Sequence, residues 1–275
     1  MGFSKREQLR KCTSAPCLIE GIWEWIAQCA KDAAEAEPTM RGILDDVCLS
    51  RNSLCTAVAA RLSRKLSRRD MPRELIEPLL REALTEDSSI LLSIAKDLVA
   101  IVDRDPACRN PLEPLLFYKG FHAITTHRIA HWLWSKGRTI MALQFQSLSS
   151  EVFGVDIHPA AQIGCGILLD HATSFVVGET AIIRDNVSIL HEVTLGGTGK
   201  EEGNRHPIVE SGVLIGAGAK LLGRITIGEC AKIAASSVVL EDVPPHTTVA
   251  GVPAIVVNDC SPTTPALDMN QNIRI

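Results

Sequence analysis

The sequence is poor in aromatic residues, which make up 4% of its 275 residues and include a single tyrosine. Surfaces that bind single-stranded nucleic acid stack bases on aromatic side chains, so this scarcity argues against such a partner. An excess of positive charge is also missing, because the formal net charge is -4. One basic run has helical spacing, and we expect a solvated helix face there rather than a phosphate-binding track. The run comprises Arg61, Arg64, Lys65, Arg68 and Arg69.

Paired cysteine motifs and long apolar runs are missing as well. The nine cysteines include no CxxC pair, and an odd number makes a poor disulfide framework. We therefore expect reduced thiols and a cytoplasmic protein. The apolar stretch LIEGIWEWIAQCA contains Glu20 and Glu24, which are out of place in the core of a signal peptide. Since no run approaches the length of a membrane span, we predict a soluble protein without a membrane partner.

The C-terminal half contains a six-residue repeat of aliphatic residues. The residue after the aliphatic one is glycine in five of twelve cases. A period of six fits neither an amphipathic helix nor a single strand, and it is typical of a left-handed parallel β-helix whose aliphatic side chains point inward. Three repeats form one coil, so the twelve predict about four coils. They are Ile157, Ile163, Leu169, Val177, Ile183, Ile189, Leu195, Ile215, Leu221, Ile227, Ile233 and Val239.

Two interruptions of the repeat mark the candidate functional segments. The spacing between Leu169 and Val177 is eight, so two extra residues enter around Asp170 and His171. The spacing between Leu195 and Ile215 is twenty. The excess residues predict an outward loop over residues 196–212, GGTGKEEGNRHPIVESG. Loops on rigid scaffolds are where function concentrates.

The N-terminal half follows a different period. Its apolar residues recur every three or four positions, and Asp87, Ser88 and Ser89 are candidate helix caps. We therefore predict an α+β chain with an all-helical domain over residues 1–154, a β-helix over residues 155–257 and a flexible tail over residues 258–275. The tail has little apolar content, which predicts that it stays mobile.

Several segments closely resemble the serine O-acetyltransferase family. They are VDIHPAAQIG, LLDHATSFVVGET, VTLGGTG, NRHP, VLIGAGAKLLG and VPPHTTVAGVPA, together with the upstream DRDPA and HWLW. The resemblance runs from about residue 98 to residue 253. It implies transfer of an acetyl group from acetyl-CoA to the hydroxyl of L-serine, which gives O-acetylserine for cysteine biosynthesis. The remaining helical region agrees in kind.

The candidate catalytic pair is His171 with Asp156. Acyl transfer to an alcohol needs a base for the hydroxyl proton, and a neutral imidazole suits this task. Asp156 lies fifteen residues before His171, close to one coil length, so we expect the two to stack on adjacent coils. A carboxylate there would hold one imidazole nitrogen protonated and leave the other free as the base. The family's catalytic pair falls on these two positions.

The resemblance also implies the substrate sites. Asp105 and Asp170 match the acidic positions for the serine ammonium group, and Arg205 and His206 match the cationic side, where an arginine binds a carboxylate with two hydrogen bonds. Glu179 and His191 are weaker candidates for the serine site. Acetyl-CoA is a co-substrate rather than a permanent cofactor, and no metal is expected. The candidate contacts of acetyl-CoA are Gly197, Thr198, Ala217, Ala235 and Lys232. Ala234 stands where the family usually has glycine, and this difference affects the expected shape of the groove that binds acetyl-CoA.

Three other functions compete with this interpretation. The histidines 158, 171, 191 and 206 permit a zinc hydratase, which needs three imidazoles on one metal. A silent scaffold that only docks a partner is a second option, although the intact candidate pair argues against it. A hexapeptide acyltransferase with another hydroxyl acceptor, such as a sugar, is the third. The helical domain and the NRHP segment separate serine O-acetyltransferase from this last class.

The resemblance implies partners in addition to the substrates. It predicts a homotrimer through the β-helices, a dimer of trimers through the helical domains, and feedback inhibition by L-cysteine, which shares the ammonium and carboxylate of serine. It also predicts that Ile275, the last residue, binds the active site of O-acetylserine sulfhydrylase, since capture of a C-terminal carboxylate is a recurrent mode of recognition.

Overall fold

The structure, a computed structural model, describes residue 9, residue 12 and residues 14–199, 202–259 and 264–273. Contacts divide the chain into two compact units, and the division falls between Tyr118 and Lys119. Helices over residues 119–153 therefore belong to the same unit as the strands, whereas the sequence suggested a boundary at residue 154. Among the described residues, no helix has the length and apolar character that crossing a membrane requires.

The described part of the first unit is helical. Its helices are α1 (Ala15–Ala36), α2 (Arg41–Leu44), α3 (Leu54–Leu66), α4 (Arg73–Glu86), α5 (Ser88–Arg104) and α6 (Leu112–Phe117), with a 3-10 turn at Pro38–Met40 and a π-helical turn at Asp45–Leu49. Side chains cap several helix starts, and Asp87 accepts a hydrogen bond from the Ser89 amide at the start of α5. Ile94 and Leu98 on α5 are fully buried. Each such side chain contributes about 1.5–3 kcal/mol to the free energy of unfolding.

The basic run on α3 is not a single solvated face. Arg61 is buried and donates to the carbonyl oxygen of Leu116. Arg64 donates to Asp46 at 3.0 Å, and Arg73 donates to the same carboxylate at 2.8 Å. The hydrogen bond from Arg73 is the largest cause that lowers the pKa of Asp46 to about 2. These arginines therefore stabilise the helical unit.

A disulfide joins Cys12 and Cys17, whose Cα atoms are 5.6 Å apart. The expectation of uniformly reduced thiols was therefore wrong for this pair. The spacing of five residues is not a CxxC motif, and the start of α1 brings the two sulfur atoms together. Burial raises the pKa of the Cys48 thiol to about 12, which keeps it protonated.

The second unit begins with two helices, α7 (Lys119–Ser135) and α8 (Thr139–Phe153). Helix α8 ends at Gly154, whose φ of 67° is a left-handed conformation that glycine adopts without strain. Arg128 on α7 donates to the carbonyl oxygens of Ile163 and Gly164, at 3.2 Å and 2.6 Å. These bonds fix α7 to the first coil of the β-helix.

The strands form a parallel β-helix with three faces. Sheet I has the order β1-β4-β7-β10-β13, sheet II has β2-β5-β8-β11, and sheet III has β3-β6-β9-β12-β14 with β15 added antiparallel to β14. The strands are β1 (Val155–Ile157), β2 (Gln162–Ile163), β3 (Leu168–Leu169), β4 (Phe175–Val177), β5 (Ile182–Ile183), β6 (Ser188–Ile189), β7 (Thr194–Gly196), β8 (Ile208–Val209), β9 (Leu214–Ile215), β10 (Lys220–Leu222), β11 (Thr226–Ile227), β12 (Lys232–Ile233), β13 (Val238–Val239), β14 (Thr247–Gly251) and β15 (Ala254–Asp259).

The predicted inward residues form the core of the β-helix. Leu195 pairs with Val177 on one side and Leu221 on the other, and all three are buried. Eleven of the twelve repeat positions are buried, and Ile163 is half-buried. The α+β class and the repeat are therefore confirmed.

The β-helix has more coils and a shorter loop than predicted. Five parallel strands in sheet I give about five turns instead of four. Val209 pairs with Ile183 and Ile227, so it is a further repeat position six residues before Ile215. The excursion therefore ends before β8 and does not extend to residue 212. The extra residues of the loop hid this position, because the repeat was counted from Leu195.

Residues 264–273 return to the β-helix, contrary to the prediction of a mobile tail. Helix α9 (Pro265–Asp268) buries Ala266 completely. The Ser188 hydroxyl donates to the Ala266 carbonyl oxygen at 2.8 Å, and the Ala266 amide donates to Gly212 at 3.2 Å. Hydrogen bonds between the tail backbone and other buried polar groups hold these residues on the β-helix, although the tail has few apolar side chains. Ile275 lies outside the described residues.

Candidate active site

The strands of sheet I are joined to the other two faces by two columns of turns. We call the turns before these strands the leading corner, which comprises residues 170–174, 190–193, 216–219 and 234–237. We call the turns after the strands the trailing corner, which comprises residues 158–161, 178–181, 197–199, 202–207 and 223–225. The predicted site residues of this unit fall mainly on these two corners.

Backbone hydrogen bonds connect successive turns of the leading corner. The Glu192 amide donates to the Thr173 carbonyl oxygen at 2.7 Å, and the Ser236 amide donates to that of Ala217 at 2.7 Å. The Gly218 amide donates to His191 at 2.9 Å. The corner therefore stacks four predicted residues in one column, in the order His171, His191, Ala217 and Ala235.

His171 lies on a backbone-strained turn after β3. His171, Ala172 and Ser174 have φ values of 56°, 62° and 58°. Left-handed conformations cost non-glycine residues roughly 1–2 kcal/mol each, and such strain often marks functional sites. Ala172 is fully buried, whereas the His171 side chain is 73% exposed. The turn therefore anchors itself through Ala172 and directs the imidazole outward.

The His171 side chain lies beside a carboxylate and a second imidazole. Its Nε2 atom lies 3.8 Å from Oδ2 of Asp170, which is beyond hydrogen-bond length. The His191 ring lies edge-on to the His171 ring, with 5.8 Å between the centroids. The structure thus brings three predicted residues together at the top of the leading corner.

Asp156 does not stack on His171, contrary to the expectation from the coil length. Asp156 pairs with Val176 in sheet I, twenty residues later, because the extra residues at the His171 turn lengthen this coil. Its carboxylate accepts a hydrogen bond from the Gln146 side chain at 2.6 Å. Gln146 comes from α8, and no sequence pattern had singled it out.

The trailing corner brings together the other predicted polar residues. Arg205 donates from Nη2 to Oε2 of Glu179 at 2.7 Å and from Nη1 to the Gly203 carbonyl oxygen at 3.2 Å. The Arg205 hydrogen bond is the largest cause that lowers the pKa of Glu179. A guanidinium oriented in this way is suited to bind an anion.

His206 is held as a neutral imidazole. Its Nδ1 atom accepts a hydrogen bond from the Thr180 amide at 3.1 Å, so its proton resides on Nε2. Burial is the first cause that lowers the pKa of His206, and the charge of Arg205 is the second. A Cβ atom at Gly178 would lie 2.0 Å from Nε2, so only glycine permits this approach.

Two further residues support the trailing corner and were missed by sequence reasoning. The Thr180 hydroxyl accepts from the Arg205 amide at 3.0 Å, and Arg224 donates to the Thr180 and His206 carbonyl oxygens at 2.9 Å and 3.0 Å. Their positions inside the repeat gave no signal beyond that of ordinary outward residues. His158, considered only as a zinc ligand, lies in the same corner, where Glu179 and Asp156 act electrostatically on it.

The predicted acetyl-CoA contacts separate into three places. Ala217 and Ala235 lie in the leading corner, and Gly197 and Thr198 lie in the trailing corner. Lys232 projects from sheet III and donates to the Asn270 and Asn272 carbonyl oxygens, at 3.1 Å and 2.9 Å. In this structure its ammonium group therefore holds the C-terminal segment.

Asp105 belongs to the first unit, where it follows α5. Its carboxylate accepts a hydrogen bond from the Ala107 amide at 2.8 Å, which orders the DRDPA turn. Among the described residues, no group of histidine, cysteine and acidic side chains has the arrangement of a metal site.

Two buried histidines and one half-buried histidine predict that acid destabilises the protein. Burial is the largest cause that lowers the pKa of His127, His158 and His206. The unfolded chain therefore binds protons that the folded chain does not, so the free energy of unfolding falls as the pH drops below about 6.5. Urea unfolding at pH 7.5 and pH 5.5 measures this slope. His127→Gln should flatten it, and an unchanged slope in that variant would contradict the assignment to His127.

These features define a hexapeptide-repeat β-helix protein with an exposed histidine at a strained corner. A family model described as serine acetyltransferase, N-terminal, matches residues 22–126. The curated serine acetyltransferase of Salmonella typhimurium is 49% identical over 258 residues, which is 94% of each chain. The chain belongs to the serine acetyltransferase family.

Solved structures of serine acetyltransferases agree with this assignment. One in complex with cysteine has a TM-score of 0.90 at 48% identity and covers 92% of this chain and 98% of its own. The Brucella abortus protein in complex with coenzyme A has a TM-score of 0.86 at 48% identity, with 88% and 97% covered. The soybean protein complexed with serine has a TM-score of 0.84 at 50% identity, with 86% and 97% covered.

Proposed function

We propose that the chain transfers the acetyl group of acetyl-CoA to the hydroxyl of L-serine, with His171 as the general base. The observation that carries this proposal is the exposed His171 imidazole on its strained turn. As the serine oxygen bonds to the acetyl carbon, the imidazole takes the hydroxyl proton. The bond between that carbon and the CoA sulfur then breaks, and the protonated imidazole gives its proton to the leaving thiolate, which departs as CoA.

The two charged groups of serine bind to different residues of the pocket. The carboxylate of Asp170 receives the ammonium group, and Arg205 with His206 receives the carboxylate. Two features support the second assignment. Glu179 orients the Arg205 guanidinium, and the protonated Nε2 atom of His206 is a hydrogen-bond donor. His191, edge-on to His171, completes the site.

Acetyl-CoA lies along the leading corner, with its thioester at His171. The small residues Ala217 and Ala235 support this placement, since they share one hydrogen-bonded column of turns with His171. Gly197 and Thr198 supply backbone contacts from a trailing corner. Lys232 reaches a phosphate of CoA only when its ammonium group leaves the tail carbonyl oxygens.

The orienting carboxylate is assigned to Asp156, and two variants separate its role from that of Asp170. A carboxylate that orients the base acts on the bound complex, so Asp156→Asn should lower kcat by about tenfold or more with little change in the KM for serine. Asp170→Asn should mainly raise the KM for serine, because it removes a partner of the ammonium group. Steady-state kinetics over a serine series measures both. If Asp170→Asn instead lowers kcat alone, Asp170 is the orienting group, as its 3.8 Å approach to His171 allows.

The pocket is shared between neighbouring copies in a homotrimer. His171 lies before the strands of sheet I and Arg205 lies after them, so the two halves of the site occupy different edges of one chain. Packing the leading corner of one copy against the trailing corner of the next brings the halves together. The helical units then pair two trimers, and the assembly works in the cytoplasm.

Release of free CoA from acetyl-CoA tests the reaction. L-serine is compared with a panel of other hydroxyl acceptors, including sugars, and serine is expected to give the highest kcat/KM. Preference for a sugar would establish the alternative acceptor class. Stoichiometric zinc in the purified protein would favour the hydratase.

In the assay of CoA release, L-cysteine should inhibit in competition with serine, because it shares the ammonium and carboxylate groups that the pocket binds.

The C-terminal residue recruits O-acetylserine sulfhydrylase. The chain's terminal carboxylate imitates a substrate carboxylate while the Ile275 side chain fills the adjoining pocket. Deletion of Ile275 should abolish binding to the sulfhydrylase and leave acetyl transfer intact, which calorimetric titration and the CoA assay measure. Undiminished binding by the truncated chain would disprove the docking role and leave the catalytic proposal untouched.

A further inference from the structure

The turn that carries His171 rests on the first residues of α7. A Cβ atom at Gly120 would lie 2.0 Å from the Leu169 carbonyl oxygen and 3.3 Å from the Ala172 methyl group. The backbone of α7 therefore approaches the end of β3 as closely as only a glycine allows. Leu169 and Ala172 bracket His171 in sequence, so this contact supports both sides of the strained turn.

Lys119 holds the same turn at its other end. Its ammonium group donates to the Thr173 hydroxyl at 2.6 Å. The Thr173 amide donates to the His171 carbonyl oxygen at 2.8 Å, and the Thr173 carbonyl oxygen accepts from Glu192 in the next turn. Thr173 thus links Lys119 to the backbone of His171 and to the rest of the leading corner.

We propose that Lys119 is a positioning residue for His171, acting through Thr173. The inference rests on the proposed role of His171 as the base. Three left-handed residues give the turn a tendency to relax toward unstrained backbone conformations. Fixing Thr173 opposes this relaxation and keeps the imidazole where the acyl acceptor arrives. Lys119 itself need not touch either substrate.

Four variants and a matched control test this role. Lys119→Met removes the ammonium group and retains most of the apolar stem, and Thr173→Val removes the hydroxyl with little change in shape. Lys119→Arg keeps a donor within reach of Thr173. The double variant Lys119→Met with Thr173→Val measures whether the two residues act as one unit. The control is Lys136→Met, which removes the same charge just beyond the other end of α7, where Lys136 lies over the Trp132 ring.

We expect Lys119→Met and Thr173→Val each to lower kcat by about threefold to tenfold, the range for one lost hydrogen bond. The KM values for serine and acetyl-CoA and the thermal midpoint should stay close to those of the parent. The double variant should lose no more than either single variant. Lys119→Arg should recover most of the loss, and Lys136→Met should match the parent.

Several results would overturn the proposal. A parental kcat for Lys119→Met does so directly, and additive losses in the double variant exclude the route through Thr173. A thermal midpoint that falls in parallel with kcat assigns Lys119 to folding stability instead. Failure of the proposed reaction is separately visible, because the parent would then release no CoA with serine or His171→Ala would keep full activity.

Discussion

His171→Ala is expected to lower kcat for acetyl transfer to serine by about two to four orders of magnitude, the usual effect of losing a general base. The imidazole is largely exposed, so its removal leaves no cavity in the core. The buried anchor of the turn is Ala172, which the substitution does not touch. The thermal midpoint should therefore stay near that of the parent. The CoA assay at saturating substrates, together with a melting curve, separates lost chemistry from lost folding.

His246→Ala is the matched control for this prediction. His246 is also exposed and also lies on a β-helix turn with a left-handed backbone, with φ of 55°. Its replacement removes the same side chain outside the two corners of the proposed site. Parental activity in His246→Ala and near-parental activity in His171→Ala would together reject His171 as the base.

The hexapeptide period made the β-helix predictable, because inward residues repeat whenever the chain completes one face. Leu195 pairs with Val177 and Leu221 as that period requires. The interruption after Leu169 correctly marked an unusual turn, since extra residues must leave the regular coil. His171 lies on that turn. Local spacing was therefore sufficient to predict the β-helix and the unusual turn that carries His171.

The six-residue repeat could not predict contacts between segments that are distant in sequence. Val209 was missed because the loop before it inserts residues that interrupt the six-residue spacing. Gln146 reaches Asp156 from a helix whose periodicity reports only which face is buried. The tail returns through hydrogen bonds to Ser188 and Lys232, and hydropathy does not detect such pairing. In each case the deciding interaction joins residues that share no common period.

The second large effect is expected when two inactive variants are combined. In the proposed trimer, each pocket takes His171 from one copy and Arg205 from its neighbour. His171→Ala disables the leading corner, and Arg205→Ala disables the trailing corner, because an unpaired substrate carboxylate loses its bidentate partner. Alone, each variant should be nearly inactive at serine concentrations below the KM of the parent.

Co-expression of the two variants should restore activity. In a symmetric ring, every mixed trimer has one pocket in which both corners are intact, so purified mixed trimers should recover roughly a third of the parental activity. Distinct affinity tags on the two variants isolate the mixed assemblies, and the same variants mixed after separate purification, without subunit exchange, are the control. Recovery near this level requires corners from two chains, because neither variant chain carries both intact. If the mixed trimers are as inactive as each variant alone, His171 and Arg205 of one chain belong to the same pocket. A single bound serine and thioester would then have to span the strands of sheet I.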